Sequence, residues 1–218
     1  MGRGRSGASG PSLSGGSGGK VNIVDQMDVW SFRHRQSNEP FVDAINTSVR
    51  QMEDDFPGLM QTVTSVNAAE LGGADKLHTL GFYSPDDKTV SLNDNFTNID
   101  KMNHVYDQSV KSGFHPSRGN KTGTEAVTYH EMGHALTDHV GKKMGARDID
   151  DAAKRIVDNA YKANRGRGGT KKWAGGISGY AQHDNAECVA EAVADWYCNG
   201  NKASERSKAI INELRKYR

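Results

Sequence analysis

The chain has 218 residues, with 28 Lys and Arg against 27 Asp and Glu and a net charge of +1, so bulk charge gives no reason to expect a nucleic-acid or acidic-membrane surface. That length suits one domain around a single core. No apolar run nears the roughly 18 residues that a membrane span needs, and no hydrophobic stretch follows Arg3 and Arg5 as a secretory signal requires.

In chain order, residues 1–19 are almost wholly Gly, Ser and Arg and read as a disordered tail with nothing to bury. The folded domain is expected over residues 20–218, with a short strand from Val21 to Val24. Ser37 then caps a helix with Pro40 in its first turn, which runs through Val42, Ile45, Val49 and Met52 to about Asp55 and stops at Phe56-Pro57-Gly58. Phe82-Tyr83, the turn Ser84-Pro85-Asp86-Asp87 and the alternating Lys88 to Leu92 predict a β-hairpin. Asp100 to Lys111 is a further helix, and a loop through Gly113, Pro116 and Gly119 leads to the next, Thr124 to Val140. Thr122 and Glu125 have capping-box spacing at its start, and Gly141 before Lys142-Lys143 reads as its stop. Asp148 to Asn164 is amphipathic, with Ala152, Ile156, Val157, Ala160 and Tyr161 on one side.

The basic run Arg165 to Lys172 lacks interleaved aromatics and reads as a Gly-rich loop, continued past Trp173, rather than a nucleic-acid site. Asp184 or Asn185 caps a helix through Tyr197, and Ser204 to Tyr217 closes the chain. Cys188 and Cys198, ten helical residues and hence about 15 Å apart, cannot pair and read as reduced core residues. A mixed β region followed by helices makes the fold class α+β.

His130-Glu131-Met132-Gly133-His134 places two imidazoles four residues apart on one face of a helix. Glu131, about 100° further round, borders that face without joining it. Two neutral histidines suit Zn²⁺, and a neighbouring carboxylate can take a proton from a metal-activated water. Gly133, which costs about 1 kcal/mol against Ala in a helix interior, implies that another group approaches closely there. Glu187, Glu191 and Asp195 recur every four residues along the downstream helix, a repulsive pattern unless a cation and a histidine neutralise it. Spacing alone leaves two registers open, Glu187 with Glu191 or Glu191 with Asp195. Asp138 follows His134 by four, but three ligands at that spacing spread over about 12 Å of helix and cannot share one ion. His139 does not fit the extended metzincin motif either, since Thr137 and Val140 stand where Gly and His are needed.

The pairing of His130-Glu131-x-x-His134 with Tyr180-x6-Glu187-x3-Glu191 resembles the gluzincin metallopeptidases of the anthrax lethal factor type. It is also similar to the zincin-like domains of bacterial polymorphic toxins and of some phage head proteins. The resemblance implies a compact zincin fold, with a small sheet above the metal helix and a glutamate helix crossing beneath. It implies Glu187 as third zinc ligand beside His130 and His134, Glu191 behind a ligand histidine, Glu131 as general base, and Tyr180 as donor to the oxyanion. Substrate, a protein or peptide, would lie along a sheet edge, for which Val90 to Leu92 is the candidate strand.

A zinc endopeptidase of toxin, effector or phage context is the expectation, in the cytoplasm, on a virion, or exported without a signal peptide. A virion- or toxin-associated module with a structural zinc is the competing class, and a zinc hydrolase of non-peptide amides shares the same residues. His34, His78, His104 and His115 are scattered and read as surface or satisfied histidines. His183, three residues beyond Tyr180, is instead expected at the cleft mouth.

Overall fold

The computed structural model describes residues 39–71 and 79–218. The tail of residues 1–19, the strand expected at Val21 to Val24, the cap Ser37, and His34 and His78 lie outside the described residues.

Helix α1 (Glu39–Asp55) buries Phe41, Ile45, Val49 and Met52, the 3.6-residue stripe that its sequence carries. Gly58, at φ 89°, ends it, and the Glu53 carboxylate accepts hydrogen bonds from the backbone N–H groups of Gly58 and Met60, both at 2.8 Å. The three strands are β1 (Ser65–Ala69), β2 (Gly81–Ser84) and β3 (Thr89–Asn93). β2 and β3 form the expected hairpin, with Tyr83 opposite Val90 and Phe82 opposite Ser91. Its alternation turns Tyr83 into the core and leaves Phe82 53 % exposed.

β1 was not expected, and it changes the sheet. It pairs in parallel with β3, so the strand order is β1-β3-β2. Val90 to Leu92 therefore belongs to the central strand and has no free edge. Among the described residues the edges are β1 and β2, and this corrects the expectation for that strand.

Helix α2 (Ile99–Lys111) is capped by Asn98, whose side chain accepts from Lys101 N–H. Helix α3 (Gly123–Lys143) opens with the capping box of Thr122 and Glu125. It passes through the middle of the molecule, against β2 and β3 and against α1, α2 and two later helices, α4 (Ile149–Ala163) and α6 (Asn185–Asn199). Buried residues occupy all its faces, as an interior helix requires. Thr128 and Thr137 satisfy their hydroxyls on the carbonyls of Thr124 and Gly133, one turn back.

The helix does not stop at Gly141. That glycine is a packing residue, since a Cβ there would lie 2.8 Å from the Cβ of Ala152 on α4. The stop is Gly145, at φ 65°, where Ala146 N–H bonds Gly141 C=O and Gly145 N–H bonds Lys142 C=O in a Schellman arrangement.

The segment expected to be loop up to Trp173 is also corrected: Thr170–Ala174 forms a short helix, α5. Its Trp173 is buried, and the indole N–H donates to Asn164 Oδ1 at 2.9 Å. Asp184 caps α6, and α7 (Glu205–Leu214) runs into a 3-10 turn, Arg215–Tyr217. Cys188 and Cys198 are free and buried. The described residues thus form a mixed, mostly helical architecture of seven α-helices and one small three-stranded mixed sheet. No helix among them is long and apolar enough to cross a membrane.

α3 and α6 cross with almost no space between them. A Cβ at Gly133 would stand 2.9 Å from Ala190 Cα and 3.2 Å from Val193 Cβ. Ala190 Cα belongs to the backbone, so it cannot turn aside as a side chain can. Gly133→Val is expected to lose about 1–3 kcal/mol, the usual cost of overpacking. It should also weaken metal binding, because it separates the helix of the histidines from the helix of Glu187. Urea unfolding together with a metal titration would check both; a variant as stable and as tight as wild type would mean the crossing is loose.

Candidate metal centre

α3 presents the rings of His130 and His134 to one side, centroids 5.1 Å apart and nearly perpendicular. α6 brings Glu187 to them from its first turn, where the Asp184 side chain accepts from Glu187 N–H at 2.9 Å. Glu187 Oε2 lies 3.1 Å from His130 Nε2 and 3.4 Å from His134 Nε2. Although buried, that oxygen makes no well-formed hydrogen bond. Its position suits a different partner. Two atoms each about 2.0–2.1 Å from one tetrahedral ion stand about 3.3 Å apart, which is the spacing seen. The three ligand atoms all lie within 4.8 Å of one another, so the cluster can hold a metal ion.

Behind the cluster, Glu191 is buried one turn along α6. Its Oε1 accepts from His130 Nδ1 at 2.8 Å and from His115 Nδ1 at 2.9 Å, and its Oε2 accepts from Ser178 Oγ at 2.6 Å. Burial alone would raise the pKa of Glu191; the hydrogen bonds from His115 and His130 outweigh it and bring the carboxyl to about 2. An ionised carboxylate only accepts, so His130 is protonated at Nδ1 and Nε2 is the nitrogen turned towards Glu187. Burial likewise opposes ionisation of Glu187, but the adjacent His130 and His134 rings hold its carboxyl well below the usual range.

Glu131 is only 6 % exposed, and burial raises its pKa against the opposing charges of His130 and His134. It sits under the start of β2: a Cβ at Gly81 would meet Glu131 Cγ and Oε1 at 2.7 Å. Tyr180 stacks on His130, centroids 5.8 Å apart, and on Phe114, 4.8 Å apart, and donates its phenolic hydrogen to Glu187 Oε1 at 3.0 Å. Burial and then the Glu187 charge push its pKa far up, so it stays a donor.

A cleft runs over the cluster in two lobes, both bordered by His130, Glu131 and Tyr180. One continues past His134 and Glu187 to Phe82, Pro85 and Ile149. The other continues to Leu80, Tyr106, Phe114, His115 and Val127.

His130, His134, Glu187, Glu191, Glu131 and Tyr180 are thus brought together. The register with Glu187 at the histidines is the one that the fold adopts. Asp195 instead ties α6 to α7, accepting from Ser204 N–H at 2.9 Å and Ser207 Oγ at 2.7 Å. Asp138 pairs with Lys88 at 2.7 Å, and His139 meets Thr62 at 3.0 Å. His183 is exposed, paired with Asp184 at 3.0 Å, and its ring lies 5.9 Å from that of Tyr180, but it does not line the cleft.

Two residues of the site escaped sequence reasoning. Ser178 lies two positions before Tyr180, and His115 has the sequence surroundings of an ordinary satisfied histidine. No local spacing links His115 to Glu191, 76 positions away, and only the tertiary fold does. Compared with protein-family models and with curated proteins, the sequence gives no match.

Proposed function

We propose that this protein is a zinc-dependent endopeptidase of the gluzincin kind. The observation that carries this reading is Glu131, a buried carboxylate beside the His130, His134 and Glu187 cluster without being part of it. A purely structural metal site has no use for such a base, and would recruit a fourth protein ligand to close the shell. The donor set of two imidazole nitrogens and one carboxylate oxygen is the zinc set of catalytic sites, and leaves one position open. A small sheet over the histidine helix and a glutamate helix packed against it also suit a zincin.

When bound, zinc would lower the pKa of its water to about 7 and polarise the scissile carbonyl. Glu131 takes the proton from the attacking water as the new C–O bond forms. It delivers that proton to the amine as the C–N bond breaks. Tyr180 exchanges its bond to Glu187 Oε1 for one to the developing oxyanion. Among the described residues β2 is an edge strand and borders the cleft, and Gly81 lets its backbone lie directly over Glu131. An extended peptide adds to that edge through main-chain hydrogen bonds, past the exposed ring of Phe82.

The test is a mixed peptide library incubated with the zinc-loaded protein and read by mass spectrometry. New termini that vanish with a chelator and return with zinc are expected. A library left intact at full zinc occupancy would rule the reading out.

Proton competition gives a second check. In the metal-free protein burial lowers the pKa of His130, but the adjacent Glu187 carboxylate and the bond to Glu191 outweigh this and hold it well above the ordinary value. Zinc needs the neutral ring, so binding displaces a proton. Apparent zinc affinity should rise with pH between about 6 and 8, by about tenfold per unit for each proton displaced. Competition against a chromogenic chelator would show it, and a flat profile would mean that His130 is already neutral.

A further inference from the structure

Glu191 holds two histidines on one carboxylate oxygen, and only His130 belongs to the metal cluster. The other, His115, stands near the start of the loop between α2 and α3 and lines the second lobe of the cleft. Its ring is held among four others. It stacks on Tyr106 at 5.4 Å and 8°, and meets Phe114, Tyr180 and His130 edge-on at 4.9, 5.5 and 6.1 Å. The loop that carries it is itself clamped to the Tyr180 segment, Gly179 N–H to Gly113 C=O at 2.8 Å and Tyr180 N–H to Phe114 C=O at 2.9 Å.

Because Glu191 only accepts, Nδ1 of His115 carries the hydrogen of that bond, and Nε2 is the nitrogen left for another partner. That nitrogen has no partner among the described residues. The side chain keeps 15 % exposure, in a lobe whose other walls include Leu80, Val127 and Phe114. A peptide entering there gives up water from its backbone N–H groups, and each one left unpaired is costly. An acceptor set rigidly among apolar walls is what such a group needs.

We propose that His115 is a substrate-binding residue whose Nε2 accepts a hydrogen bond from a backbone N–H of the peptide in this lobe. The proposal rests on the peptidase reading above. It differs from a role in which His115 merely steadies Glu191, and the two nitrogens allow the roles to be separated. His115→Asn retains a donor near the position of Nδ1 and has nothing at Nε2. His115→Phe retains the stacked ring and has neither nitrogen.

Zinc affinity and kcat/KM would be measured for wild type and both variants, on one cleaved peptide and on its analogues N-methylated at single positions. His115→Asn is expected to keep zinc affinity within about twofold and to lose about tenfold in kcat/KM, the worth of one neutral hydrogen bond. One N-methylated analogue should be cleaved about tenfold more slowly by wild type, yet no more slowly than the parent peptide by the variant, the signature of a shared contact. If the Asn variant does not fold, the same comparison is made with His115→Phe. Cleavage by His115→Asn at the wild-type rate would overturn the proposal, as would activity lost only in step with zinc, or N-methylation effects identical in variant and wild type. A wild-type protein that cleaves no peptide defeats the peptidase reading and this role together; the other adverse outcomes defeat this role alone.

Discussion

Glu131→Gln is expected to keep zinc and fold while turnover falls by about 10²–10⁴-fold, the range for removal of a general base. The amide has nearly the same shape as the carboxylate, so the close fit under Gly81, whose Cβ would stand 2.7 Å from the side chain, is preserved. Charge is the only large change. Burial already disfavours the ionised form of Glu131, so a neutral group there should not destabilise the protein. The metal should be retained, since the cluster of His130, His134 and Glu187 does not include this side chain. Turnover, zinc content and thermal unfolding of the variant would be measured together. Undiminished hydrolysis would remove Glu131 from the mechanism, and loss of zinc would make it a ligand.

The parts of this site legible in the sequence are those fixed by local geometry. His130 and His134 face one way because a helix places positions four apart on one side, and the Thr122–Glu125 capping box marks where that helix starts. Gly133 signalled a close approach, and α6 supplies it. Gly141 carries the same signal, but a glycine near a helix end serves either packing or termination, and only the contact with Ala152 shows that it packs. β1 was invisible for another reason. Ser65–Ala69 is short and poor in strand-forming residues, and becomes a strand by pairing with β3, 24 positions on. That one pairing covers the free side of β3 and leaves β1 and β2 as the edges among the described residues. It shows why an edge is a property of the assembled sheet and not of any segment. His115 is the same case at the level of a side chain.

The carboxylates of α6 give the sharpest separation of roles. Glu187→Ala removes an oxygen that stands 3.1 and 3.4 Å from the two imidazole nitrogens, and zinc affinity should fall by more than the roughly 10–100-fold typical of orienting residues. Glu191→Ala should weaken zinc within that range, but should also lower stability. It leaves His130 Nδ1, His115 Nδ1 and Ser178 Oγ without their acceptor, at about 1–3 kcal/mol for each donor that stays buried and unpaired. Tyr180→Phe should leave zinc in place and slow turnover by about 10²–10³-fold, since one oxyanion donor is worth about 3–4 kcal/mol. Zinc affinity, melting temperature and kcat measured side by side would give each variant its own signature: metal lost, metal and stability both reduced, or turnover alone reduced. If Glu191→Ala abolished zinc binding while Glu187→Ala only weakened it, the ligand would lie one turn along α6. Asp195 would then have to serve as the orienting carboxylate. It is already engaged by Ser204, Ser207 and Asn199, so that outcome would also require the α6–α7 junction to rearrange.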